Sequence, residues 1–130
     1  MTKEEHIAYW VETAQKDWRA VQHMYQSKDY LHALFFAHLL LKKLCKAHWV
    51  KDNTGNIPPK IHNLIILIGK TKLELLDTDK QFLSQMNQFQ LEGRYPDYTQ
   101  RLYKTYKAHL TKNILDKVNT IRKCLLKNLR

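Results

Sequence analysis

Apolar residues recur every three or four positions through most of this chain. Ile7, Trp10, Val11, Ala14, Trp18, Val21 and Met24 keep that spacing over about five turns, the stripe of an amphipathic helix. Just upstream, Thr2 and Glu5 read as a capping box: the hydroxyl accepts from a free helical N–H and the carboxylate reaches back. The pattern predicts a first helix at about residues 3–26. Ser27 or Asp29 can cap a second helix, and residues 30–50 carry two stripes instead of one. Tyr30, Ala33, Ala37, Leu40, Leu44 and Ala47 make the first; Leu31, Leu34, Phe35, His38, Leu41, Cys45 and Trp49 make the second. A helix apolar on most sides needs burial on most sides. It is either the central helix of a bundle or a helix whose second stripe meets another subunit. Lys42, Lys43 and Lys46 supply its polar strip.

Residues 52–60, DNTGNIPPK, break the pattern with a glycine and a Pro–Pro pair and read as a loop. Leu64, Ile65, Leu67 and Ile68 then predict a short third helix. Thr78 with Gln81 reads as another capping box. Phe82, Met86 and Phe89 mark the inner face of a fourth helix, with Gly93 placed to end it in the left-handed conformation. In Arg94-Tyr95-Pro96-Asp97-Tyr98 the proline fixes its own φ and keeps Tyr95 out of helix. A last helix is expected at about 99–127, on the stripe Leu102, Tyr106, Leu110, Ile114, Val118, Ile121 and Leu125; Thr111 either interrupts it or lies within it. Three glycines and three prolines in 130 residues are too few for an all-β fold. The expectation is one all-α domain over residues 1–130, a four- to five-helix up-and-down bundle with helix two at its centre.

Composition alters this picture in two ways. The polar opening MTKEEH and the absence of a long apolar run argue against a signal peptide or a membrane span, and point to the cytoplasm. Cys45 and Cys124 then read as reduced core residues. The charge is also lopsided. Of the net +10, residues 94–130 contribute ten Lys/Arg against two Asp/Glu. A basic end attracts RNA or an acidic protein, or simply forms a solvated face.

Four short motifs fall in order on these elements. Helix one carries Trp10-x3-Ala14-x2-Asp17-Trp18. Helix two follows Asp29-Tyr30 and holds Phe36 and Lys43-Leu44-Cys45-Lys46-Ala47. His62-Asn63-Leu64 opens helix three, and Arg94-Tyr95-Pro96-Asp97 precedes the last helix. Together they resemble the HEPN family (higher eukaryotes and prokaryotes nucleotide-binding), in its R-Y-P-D-containing bacterial branch. The chain departs from the family on helix two: His38, Leu39 and Lys42 stand where relatives often have a Gln pair and a Glu. The resemblance implies a helical bundle, commonly a homodimer, and two possible roles. Many members are metal-independent ribonucleases, often toxins paired with a minimal nucleotidyltransferase, with an Arg-x4–6-His site near the start of the last helix. Others lack that motif and bind nucleotide or act as scaffolds.

The chain contains no Arg-x4–6-His. Arg101 and His109 lie in the right region but with seven residues between them. On one continuous helix they would sit about 12 Å apart along the axis with a turn of roughly 80°. Metal-free RNA cleavage needs a base near the 2′-hydroxyl and a cation at the phosphate, so they are the candidate catalytic pair or else surface residues. For binding, Arg94 can hold a phosphate in fork geometry, with Asp97 as its alternative ion-pair partner, and Tyr95 or Tyr98 can stack on a base. Arg101 and Lys104, interleaved with Tyr98, Tyr103 and Tyr106, extend the same mixture. Tyr106, on the core stripe, suits inward packing. His62 reads as a residue that caps or ties the fold. No zinc or Gly-rich phosphate motif occurs, so neither metal nor cofactor is expected. The function best supported by sequence is a nucleotide- or RNA-binding component of a two-part system with a minimal nucleotidyltransferase. The alternatives are a ribonuclease toxin with an atypical site and a dimeric scaffold.

Overall fold

Thr2 opens the first helix through both halves of its capping box. Its hydroxyl accepts from the Glu5 N–H at 3.1 Å, and the Glu5 carboxylate accepts from the Thr2 N–H at 3.3 Å. The computed structural model describes residues 1–129, which form six α-helices and no strand. The helices are α1 Lys3–Gln26, α2 Tyr30–Asp52, α3 Leu64–Gly69, α4 Asp77–Met86, α5 Pro96–Thr105 and α6 Ala108–Lys127, with a short 3-10 turn at Asn87–Phe89. None is long and apolar enough to cross a membrane.

α1 and α2 form an antiparallel hairpin across Ser27–Asp29, where Lys28 takes a positive φ of 65°. Lys3 at the start of α1 donates to the carbonyls of Val50 and Asn53 at the end of α2, at 2.6 and 2.8 Å. α6 runs parallel to α2 and packs against both helices of the hairpin, with Arg122 reaching Gln15 and Trp18 of α1. His48 bonds the Leu125 carbonyl near both C-terminal ends, and Tyr25 at the end of α1 donates to the Ala108 carbonyl at the start of α6.

Helix two is central. Ala33, Leu34, Ala37, Leu40, Leu41, Cys45, Ala47 and Val50 are all fully buried. Both of its stripes are covered within the protomer, so the double stripe no longer calls for a second subunit. Lys42 does not belong to a polar strip: it too is buried, along with His38 and His48. Cys45 is free and fully enclosed, and burial pushes its thiol up to about 12; Cys124 is free and half-buried.

Three other expectations are corrected. α4 begins at Asp77 with Leu76 at the cap, so Thr78 lies inside the first turn and the second capping box does not form. α4 also stops at Met86, so Gly93, although its φ is +76°, shapes the turn before α5 and not the end of α4. The third concerns the last helix, which is two helices. Tyr106 and Lys107 are both extended, with φ/ψ of −98°/90° and −99°/−174°. Tyr106 leaves the helix to pack edge-on against Phe89 at 5.0 Å and to donate its hydroxyl to the Gln88 side chain at 3.0 Å. The break shifts the buried face by one residue. Thr111 and Leu115 turn inward in place of Leu110 and Ile114, and Leu110 stays exposed. Thr111 therefore lies within α6.

Candidate functional site

Pro96 occupies the first position of α5, where its missing N–H costs nothing, and Tyr95 is the extended residue before it. This start brings Tyr98 round to the Gln88 carbonyl, to which its hydroxyl donates at 2.7 Å. The Tyr98 ring is thereby fixed, and two guanidinium groups rest on it. Arg94 lies 4.5 Å from the ring centroid and Arg101 5.6 Å. The ring's negative quadrupole holds both cations in place. Arg94 spends its Nε on the Gln90 carbonyl at 3.2 Å. No carboxylate pairs with either arginine among the described residues, and Asp97 stands exposed without reaching Arg94. Lys104 is exposed on the same helix.

The two candidate stacking rings differ. Tyr98 is half-buried and occupied by arginines, whereas Tyr95 is 80% exposed and has no aromatic or cationic partner among the described residues. Beside Tyr98 and Arg101 lies a shallow cavity of about 270 Å³, lined also by Gln88, Leu102, Thr105 and Tyr106. Tyr103, further along α5, meets His32 of α2, with its hydroxyl 3.3 Å from Nδ1. Arg101 and His109 are not on one helix. Arg101 lies in α5 and His109 in the first turn of α6, beyond the Tyr106–Lys107 break, so the spacing of a continuous helix does not apply.

A second group of chemically active side chains gathers where α2 meets the segment before α3. Asn63 caps α3, its Oδ1 accepting from the N–H groups of Ile65 and Ile66 and from the Asn87 side chain. The cap holds His62 over α2. The His62 carbonyl accepts from Nε2 of His38 at 3.0 Å, and its Nδ1 lies 2.9 Å from the ammonium of Lys42. His38 and Lys42 are one turn apart and share a face. Burial, then the Lys42 charge, lowers His38 to about 4, so its imidazole is neutral with the proton on Nε2. Burial also lowers Lys42, with Lys46 adding to the effect and Glu92 opposing it; His62 is lowered by burial and by Lys42. His38 and Lys42 both fall at the family departure on helix two, but the sequence pattern assigned them to an apolar stripe and a polar strip, whereas the fold buries both. What the sequence did not reveal was that His62 crosses to them.

Among the described residues no three His, Cys, Asp or Glu side chains gather as a metal would require. The helix-one and helix-two motifs carrying the family likeness meet in space. Asp17 pairs with Lys43 at 2.8 Å, and Lys46 lies over the Trp10 ring at 5.1 Å. The HEPN domain family model matches residues 7–129. Comparison with curated proteins and with solved structures finds no match. With the match covering nearly the whole chain and the helices in place, the protein belongs to the HEPN domain family.

Proposed function

We propose that the protein binds nucleotide or single-stranded RNA on the surface formed by the Arg94 turn and α5, as one component of a two-part system. The carrying observation is the pair of unpaired guanidinium groups on the Tyr98 ring, with the bare Tyr95 ring beside them. Tyr98 positions Arg94 and Arg101 so that their remaining N–H donors take phosphate oxygens, and Tyr95 stacks on a base. Lys104 adds charge along the strand, and the basic C-terminal third draws the polyanion in. Asp97 limits how closely a phosphate approaches the start of α5.

Family membership supports a minimal nucleotidyltransferase as the partner and a homodimer as the working form, and the R-Y-P-D turn supports the bacterial branch. The lack of an Arg-x4–6-His run in the sequence favours binding over cleavage. Fluorescence anisotropy with a labelled single-stranded RNA at low salt tests the reading. Saturable binding weakened by Arg94→Ala and Arg101→Ala is expected. Wild-type protein that fails to bind either RNA or mononucleotide overturns it.

A further inference from the structure

Lys42 is a largely buried lysine whose ammonium, at a part-buried position, has no counter-ion among the described residues. The residue is 8% exposed, and it takes part in none of the ion pairs among the described residues. Of its three N–H donors, one reaches His62 Nδ1 at 2.9 Å. Burying a charge this way is costly unless an opposite charge or further hydrogen bonds meet it. The surroundings make the imbalance worse. Lys43 and Lys46 flank it on α2, Lys60 acts on Lys46 from the preceding loop, and Glu92 is the one carboxylate acting on Lys42 and His62. Lys43 is already neutralised by Asp17. His38, on the same face, spends its N–H on the His62 carbonyl and contributes no charge.

The tautomers make this part of the surface a set of donors. Lys42 donates to Nδ1 of His62, which puts the imidazole proton on Nε2, a donor with no partner among the described residues. The available donors are therefore two from Lys42, one from His62, those of Lys60, and those of Lys46, whose ammonium also lies over the Trp10 ring. A site rich in donors, several of them cationic and opposed by the Glu92 carboxylate, is complementary to a tetrahedral oxyanion. We propose that Lys42, His62, Lys46 and Lys60 bind a phosphate group, carried either by inorganic phosphate or by a mononucleotide. The anion supplies the charge that Lys42 lacks. This site uses none of the Tyr98 surface and stands or falls separately from it.

Glu92 opposes an anion at this place, which gives a variant of predicted gain. The histidine ring signals of the full-length chain are followed by NMR at neutral pH while inorganic phosphate, and separately AMP, is added against chloride of matched ionic strength. The His62 ring shifts saturably with phosphate and that of His109 does not. Lys42→Met weakens binding by roughly tenfold or more, the loss of a charge-assisted contact. The exposed substitution Glu92→Gln, which leaves the packing intact, tightens it, and Arg101→Ala leaves it unchanged. Tighter binding of AMP than of phosphate identifies a nucleotide as the source, and equal binding identifies the free anion; both support the site. A His62 ring that responds no more to phosphate than to chloride overturns the proposal. So does Glu92→Gln binding no more tightly than wild type.

Discussion

Asp17 of α1 and Lys43 of α2 approach to 2.8 Å with side chains only 12% and 20% exposed. The contact is short but poorly aligned for a hydrogen bond, so it acts as an ion pair. It joins the two longest helices at the middle of their hairpin. Removing one partner strands the other charge out of water. Lys43→Met is expected to cost about 3 kcal/mol, while Asp17→Asn combined with Lys43→Met costs clearly less than the two singles added together. Urea unfolding of the four proteins measures the coupling, and strict additivity would show that the pair is not a unit.

His38 makes stability sensitive to acid. Its folded value of about 4 lies below the ordinary 6.5 because burial, and then the Lys42 charge, oppose the imidazolium. Between about pH 6.5 and about pH 4 the unfolded chain therefore binds more protons than the folded one. Stability is full above that window and falls as pH drops through it, by about 3 kcal/mol in all for this group. His48, also lowered by burial, adds in the same direction. His38→Gln keeps a donor for the His62 carbonyl and does not titrate. Its urea midpoint should fall less than that of wild type across the window; parallel curves would remove His38 as the cause.

Asn63 carries three acceptor contacts on one oxygen. Asn63→Ala leaves the first N–H groups of α3 without a partner and should lower stability by about 1–2 kcal/mol. Asn63→Asp keeps the acceptor and should stay close to wild type. Thermal unfolding distinguishes them, and equal losses in both variants would mean that the cap is not what holds α3.

At the proposed RNA surface, charge and stacking separate by salt dependence. Arg101→Ala should reduce the slope of log K against log salt by about 0.7, one phosphate contact on a single strand. Tyr95→Ala should weaken binding by about 1–3 kcal/mol while leaving that slope unchanged. Anisotropy titrations over a range of salt give both quantities. A Tyr95 variant that binds as tightly as wild type would remove the stacking contact.

Where sequence reasoning succeeded, local physics was sufficient. The Thr2–Glu5 box and a single clean stripe place α1 at Lys3–Gln26, and the Gly and Pro–Pro run ends α2 within two residues of expectation. It failed where no local signal existed. Tyr106 and Lys107 are neither glycine nor proline, and the residues after them keep a helical spacing. The break there is decided by Phe89 and Gln88, which are distant in sequence. Likewise the capping pattern at Thr78–Gln81 is genuine, but the helix starts at Asp77 and bypasses it.

By itself the sequence determined the helical class, the central place of helix two, the start of the Arg94 turn and the basic character of its surroundings. Each follows from residue spacing, from the fixed φ of proline or from the count of charges. Only the tertiary structure decided that the last helix is two, that Tyr98 carries two arginines while Tyr95 stays bare, and that Lys42 is buried against His62. These depend on which distant side chains meet, and periodicity along the chain contains no record of that.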